Sequence, residues 1–87
     1  MKFINIGFGN LVNPDKVYAI VNPDAAPIRR LITTAKDAGT LIDASQGRKT
    51  KSVLVLEDGR ILLSALQSDT IGKRMNQSAD EREEGNE

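Results

Sequence analysis

Three cationic side chains, Arg48, Lys49 and Lys51, lie within four positions of this 87-residue sequence. Apolar residues flank them on both sides, Leu41-Ile42 before and Val53–Leu56 after. We therefore expect these cations to be held on a turn at a sheet edge. Cations in a fixed arrangement attract a polyanion, so the chemistry of this segment is contact with phosphate. An exposed turn rich in Lys and Arg also serves solubility alone, and composition does not separate the two interpretations.

The sequence lacks the residues on which most catalytic sites depend. It contains no His and no Cys, which excludes the common nucleophile–base pairs and the ordinary zinc sites. The acidic residues Asp15, Asp24, Glu57 and Asp58 lie in predicted turn or cap contexts, where carboxylates accept hydrogen bonds from backbone N–H groups. Asp43 lies closest to the cations, and we expect it to form a structural ion pair rather than to act as a general base. We predict no enzymatic activity, no catalytic residue, no cofactor and no metal.

Two glycine-containing segments resemble phosphate-binding loops but lack their spacing. Gly7-Phe8-Gly9 would need a third glycine at the position of Val12, and Gly47–Thr50 has Arg in the lysine position of a Walker loop, with a predicted strand after it. We expect these glycines to serve backbone geometry.

Hydrophobic periodicity indicates a small sheet that would position the cations. Ile4, Ile6 and Phe8 alternate with small or polar residues, which predicts a half-buried strand. Further strands are predicted at Val17–Val21, after the turn residues 13–16, and from Leu41. Asp58-Gly59 separates two apolar runs and is the strongest hairpin signal in the chain.

One amphipathic helix is predicted between the second and third of these strands. Asn22 or Asp24 is its expected N-cap, Pro27 lies in its first turn, and Gly39 is expected to end it. Its apolar stripe is Ile28, Leu31, Ile32 and Ala35. In an oligomer, the start of this helix or the first strand could also pack on a neighbour. A short last helix is expected after Ser68, with Ile71 and Met75 one turn apart.

Charge divides the chain into two parts. Residues 1–75 carry eleven Lys and Arg against seven Asp and Glu, a net charge of +4, whereas residues 76–87 carry one Arg against five acids, a net charge of −4. The second part has almost no apolar residues to bury, so we predict one domain over 1–75 and a disordered acidic tail over 76–87. Such a tail serves solubility, or weakens non-specific nucleic-acid binding as an anion mimic.

The predicted domain is small and has no disulfide or zinc to stabilise it. A core of this size rarely supplies more than about 3–5 kcal/mol, so we expect self-association to add stability. The N-terminal residues show no signal-peptide pattern, and no apolar run approaches the roughly 20 residues of a membrane span, so a cytoplasmic location and no membrane partner are expected.

Several segments, in the same order, resemble the RemA family of bacterial extracellular-matrix regulators. They are Lys2–Asn10, Ala26–Ile28, Leu41–Ala44, Gly47–Thr50 and Leu63–Ala65. The resemblance covers roughly residues 2–75 without an evident gap and leaves only the acidic tail outside. Several dispersed segments in the same order identify a family far more specifically than any single segment does.

The resemblance implies a non-enzymatic, DNA-binding transcriptional regulator that assembles into a closed ring, of seven or eight subunits in that family. The family pattern Gly-Arg-Arg-Thr-Arg corresponds to Gly47–Lys51, and its arginines contact DNA, which assigns DNA contact to Arg48, Lys49 and Lys51. A further family arginine corresponds to Lys16. Lys therefore replaces Arg at three of the four positions, so the charge is kept everywhere but the bidentate guanidinium only at Arg48.

The prediction is thus an α+β fold with a small, mostly antiparallel sheet, one main amphipathic helix and a short C-terminal helix, assembling into a ring that binds double-stranded DNA. The alternative is a non-enzymatic structural or interaction ring that binds an acidic protein partner or RNA. No aromatic residue is interleaved with the cations along the sequence, which argues against an RNA binder that stacks bases.

Overall fold

The computed structural model describes the backbone of residues 2–85 and the side chains of residues 2–77. The elements, in chain order, are β1 (Ile4–Asn5), β2 (Leu11–Val12), a 3-10 turn (Pro14–Lys16), β3 (Val17–Val21), α1 (Ala26–Ala38), β4 (Leu41–Asp43), β5 (Ser52–Leu56), β6 (Ile61–Ser64) and α2 (Ser68–Gly85). The predicted α+β class is confirmed.

The strands form two sheets rather than the single predicted sheet. β1 and β2 form a small antiparallel pair, and the other four strands are ordered β3-β5-β6-β4. Pairing is antiparallel except between β4 and β6, which are parallel. The chain from β4 to β5 must therefore pass over the C-terminal end of β6, and this crossing segment, residues 44–51, carries the three cations.

Alternate residues of the central strands face two different layers. Val53 and Leu63 belong to a cluster with Ala35, Ile28 and Ile32 of α1. Their neighbours on the strands point the other way, because side chains alternate across a sheet. Leu54 and Leu62 accordingly pack with β1, β2 and Ile71 of α2. The sheet lies between α1 on one face and the β1–β2 pair with α2 on the other.

The first predicted strand is much shorter than expected. β1 ends at Asn5, and the chain reverses through Gly7, Phe8 and Gly9, all with φ between 56° and 111°. Phe8 therefore leaves the buried face occupied by Ile4 and Ile6 and is 54% exposed. The partner strand β2 has two residues, too few to show a periodicity, and the prediction missed it.

The helices begin or end differently from the prediction. The N-cap of α1 is Ala25, with no side-chain cap hydrogen bond, and neither Asn22 nor Asp24 caps it, because the Asn22 side chain instead accepts from the Asp24 N–H at 2.8 Å. Gly39 ends the helix in the left-handed conformation, as predicted. α2 has 18 residues, so the expectation of a short helix was wrong. The side chains of 78–87, most of the predicted disordered tail, lie outside the described residues, and that prediction stays untested.

Ser64, at the end of β6, joins three segments of the chain. Its buried hydroxyl donates to the Ile6 carbonyl oxygen at 2.7 Å and accepts from the Leu66 N–H at 3.0 Å. Its carbonyl oxygen accepts from the Lys51 N–H at 2.9 Å. One residue thereby fixes both the turn at 7–9 and the end of the cationic segment.

We expect Ser64→Ala to lower the free energy of unfolding by about 1–3 kcal/mol, because it leaves the buried Ile6 carbonyl and Leu66 N–H without their shared partner. Urea unfolding followed by circular dichroism measures the change. Thr34→Ala is the matched control, since it removes an exposed helix hydroxyl that makes no hydrogen bond within the described residues. Equal stability of the two variants would show that the Ser64 bonds contribute nothing net.

Candidate nucleic-acid interface

The cationic segment starts from a hydrogen-bonded turn. One carboxylate oxygen of Asp43 accepts from the Ser45 hydroxyl and, at 2.9 Å, from the Ser45 N–H. The hydroxyl bond and then the N–H bond lower the pKa of Asp43 from its ordinary value of 3.8, and slight burial opposes them. The predicted ion pair was wrong: among the described residues Asp43 has Ser45, and no cation, as its partner.

The next residues turn the chain sharply toward β5. Gln46 and Gly47 both have positive φ, 57° and 76°, and the Arg48 N–H donates to the Ser45 carbonyl oxygen at 3.0 Å. With Lys51 bonded to Ser64, the segment is anchored at both ends. A backbone fixed in this way holds its side chains in a defined arrangement.

The three cations of this segment are exposed. No salt bridge involves Arg48, Lys49 or Lys51 within the part of the chain that the structure describes. No carboxylate of those residues therefore neutralises their charge. This is the electrostatic requirement for an anion-binding surface.

The cations border a surface cavity of about 460 Å³ together with Phe8. Its other lining residues are Gly7, Ala65 and Leu66, so no acidic side chain of residues 2–77 lines it. Lys49 and Lys51 also border a second cavity, of about 330 Å³, which Asp24 and Asp69 line as well. The uncompensated positive charge is consequently on the Phe8 side.

Phe8 is the member of this surface that sequence reasoning missed. It lies 40 positions before Arg48, and only the turn of the β1–β2 pair brings the two together. The sequence shows no aromatic residue among the cations, but the fold supplies one beside them. The sequence pattern that could have revealed it is Gly7-Phe8-Gly9, because an aromatic residue between two glycines is unusual at the tip of a turn.

Lys16 lies apart from the other three predicted contacts. Its carbonyl oxygen accepts from the Glu57 N–H, so it stands at the opposite end of β5 from Lys51, roughly 20 Å away at the rise of a strand. Its ammonium group lies 4.0 Å from a Glu57 carboxylate oxygen. It borders a separate groove of about 770 Å³, in which apolar residues such as Leu11 and Ile42 lie beside charged ones such as Glu57 and Arg60. One chain thus brings together three of the four predicted residues.

The described residues contain no group of three or more His, Cys, Asp or Glu side chains that could hold a metal ion. Within the same residues, no helix combines the length and apolar character that crossing a membrane requires.

We expect Asp43→Ala to destabilise the protein in a pH-dependent way. Because folding lowers the pKa of Asp43, its carboxylate stabilises the fold above pH 3.8, and this contribution is lost as the pH falls through the lower folded pKa. Urea unfolding at pH 7 and at about pH 2.5 should show the variant's deficit shrinking on acidification. Asp37→Ala is the control, since that exposed helix carboxylate has no partner within the described residues. A deficit of the same size at both pH values would contradict the assignment.

Comparison with known proteins identifies the family of this chain. The family model for extracellular matrix regulatory protein A-like (RemA-like) proteins matches residues 3–75. A protein of Lachnoclostridium phytofermentans named "Putative regulatory protein" is 53% identical over 76 residues, which is 87% of this chain and 84% of that protein. Proteins of Bacillus cytotoxicus and Bacillus mycoides with the same kind of name are each 46% identical over 85 residues, 98% of both chains. The chain belongs to the RemA-like family.

Proposed function

We propose that this chain is a double-stranded-DNA-binding transcriptional regulator that acts as a homo-oligomeric ring. The observation that carries the proposal is the anchored segment 44–51, with three exposed cations that no carboxylate of the described residues neutralises. Membership of a family whose relatives are named as regulatory proteins supports the regulatory part. The proposed activity is non-enzymatic.

The proposed contacts divide by side-chain type. Lys49 and Lys51 are compact ammonium charges, which suit phosphate but do not fix an orientation. Arg48 carries the only guanidinium on the segment, and it alone can make the bidentate contact that distinguishes guanine. Phosphate contact therefore supplies most of the affinity, and direct base reading is limited to one residue per subunit.

One subunit has too few cations for tight binding. Three or four phosphate contacts give a weak interaction, because the affinity from counterion release grows with the number of contacts. Each contact adds about 0.9 to the slope of log affinity against log salt concentration. Several subunits bound to one duplex multiply the effective concentration of each site. A ring also gives Lys16 a role, because the Lys16 of one subunit then adds to the cationic segments of its neighbours along a shared basic perimeter.

The surface of the chain supports a head-to-tail contact. Leu11 and Ile42 are 61% and 43% exposed and form an apolar part of the groove that Lys16 borders, on the sheet face opposite α1. Leu31 of α1 is exposed on the other side of the molecule. A heterologous contact needs two different patches that point in different directions, and rings form when the rotation closes. We place the α1 surface of one subunit against the groove of the next.

Replacing Arg48 and Lys49 together by Ala is expected to weaken binding to duplex DNA roughly tenfold or more and to lower the salt slope by up to about two per engaged subunit. Fluorescence anisotropy over a series of salt concentrations measures both quantities. Lys36→Ala removes a cation near the far end of α1 and serves as the control. Unchanged DNA binding by the double variant would show that the assigned contacts are wrong.

The same titration tests the partner class. Duplex DNA, a single-stranded RNA and an acidic protein are compared at one salt concentration. Preference for the duplex is the expected result. Tighter binding of the RNA or the acidic protein, with the same dependence on Arg48 and Lys49, would replace the DNA proposal by the alternative interaction function.

The double variant Leu11→Asp with Ile42→Asp is expected to break the ring, because it puts two carboxylates into the groove that a neighbour would cover. Light scattering measures the loss of mass, and DNA affinity should fall with it. Tyr18→Asp is the control, because Tyr18 is 80% exposed but does not border the groove. An assembly of unchanged mass would exclude the groove, and a monomer that still binds DNA tightly would contradict the role of the ring.

A further inference from the structure

We propose that Phe8 is an apolar wedge that enters the base stack of the DNA held by the neighbouring cations. The inference rests on the proposed function and adds to it a contact with the bases. In this arrangement Arg48, Lys49 and Lys51 hold the backbone of the duplex. The ring of Phe8 enters a base-pair step beside them and bends the helix there.

The first support is that the fold leaves Phe8 unused. Its side chain is 54% exposed and belongs to neither hydrophobic cluster of the described residues. Phe normally contributes by burying a large apolar surface. A side chain that stays more than half exposed gains only part of this stabilisation until a partner covers it.

The second support is the backbone of the turn. Phe8 has φ 56°, between Gly7 at 111° and Gly9 at 76°. This left-handed region suits Gly or Asn, and a bulky residue is an outlier there. An aromatic residue at such a position is held against its own conformational preference, and conformations of this kind cluster at functional sites. The positive φ of Phe8 is explained if its ring has to project from the tip of the turn.

The third support is that Phe8 is fixed in relation to the cations. The Asn10 side-chain amide donates to the Gly7 carbonyl oxygen at 3.0 Å and, at 3.4 Å, to the carbonyl oxygen of Ala44, where the cationic segment starts. Ser64 holds Ile6 and Lys51 at the other side. The turn and the cationic segment are thus bonded to the same two residues, so a duplex bound by the cations meets Phe8 in one orientation.

The fourth support is the charge around the ring. Among the residues whose side chains the structure describes, every charged residue that lines its cavity is cationic. A protein partner would need an acidic rim around an apolar pocket, whereas any duplex presents phosphates on both sides of a stack of flat apolar rings. Double-stranded DNA fits both the sign of the charge and the shape of the wedge.

The test compares Phe8→Gly and Phe8→Leu with the wild-type chain. Phe8→Gly removes the ring and suits the positive φ, so folding is retained or improved. Phe8→Leu keeps an apolar wedge on the same turn. Tyr18→Ala is the matched control, because it removes a more exposed ring from a strand that does not border the cation cavity.

The probe is a duplex of about 40 base pairs with A·T-rich segments and central TA steps, which are the steps most easily opened. A dye at each end reports bending by energy transfer, and 2-aminopurine beside a central step reports unstacking. Anisotropy at several salt concentrations gives the affinity and the salt slope.

We expect Phe8→Gly to bind roughly 10- to 100-fold more weakly, with an unchanged salt slope and without the bending and 2-aminopurine signals. Phe8→Leu should retain most of the bend, and Tyr18→Ala should match the wild type. Suppose that the wild type binds DNA with a salt slope that depends on Arg48 and Lys49, but Phe8→Gly binds and bends DNA equally well. This result overturns the inference about Phe8 and leaves the proposed function intact. A wild-type chain that does not bind DNA overturns both.

Discussion

The arrangement of the whole candidate surface depends on the buried hydroxyl and carbonyl of Ser64. This residue ends β6, the strand that lies between β4 and β5, and the cationic segment has to cross over it. Its hydroxyl donates to the Ile6 carbonyl, and its carbonyl accepts from the Lys51 N–H. Without these bonds, only the weaker contact of the Asn10 amide with the Ala44 carbonyl oxygen would hold the N-terminal turn and the crossing segment together. A small polar group in the core therefore sets the geometry of an exposed surface.

The topology explains why such a point exists. Because β6 lies between β4 and β5 in the sheet, the chain cannot pass from β4 to β5 through a tight hairpin and needs a crossing segment. Loops of this kind run over the surface and carry function more often than the strands do. Buried polar groups next to them must be hydrogen-bonded, and here the partners are the loop itself and the neighbouring turn. The same strand order thus places the loop beside Ser64, whose buried polar groups anchor the loop and the turn by hydrogen bonds.

Local sequence signals predicted the elements whose causes are local. The Asp58-Gly59 hairpin, β3 and the Gly39 helix end all follow from turn chemistry or periodicity within a few residues, and the structure contains each of them. Two features depend on residues further along the chain and were not predictable in this way. β2 exists because Ile4 pairs with Val12, and Phe8 joins the cations through Asn10 and Ala44. The bond between Asp43 and Ser45 is local, two positions apart, and the prediction missed it because it considered only the nearby cations as partners of Asp43. The separation of Lys16 from the other cations likewise follows from the length of β5, which a linear sequence does not show.

The side-chain types at the four proposed contact positions limit how this surface can recognise a DNA sequence. Under the proposed function, lysines at three of the four contact positions hold phosphate but carry little base information, and Arg48 reads at most one guanine per subunit. Specificity then has to come from the shape and deformability of the DNA. A protein surface discriminates duplexes by how easily they bend only if its contacts are held at fixed distances from one another. Within a subunit, the hydrogen bonds of Ser64, Ala44 and Asn10 fix these distances. Between subunits, the same requirement falls on the contact that closes the ring. The stiffness of that contact, more than the number of cations, would decide which sequences bend well enough to bind.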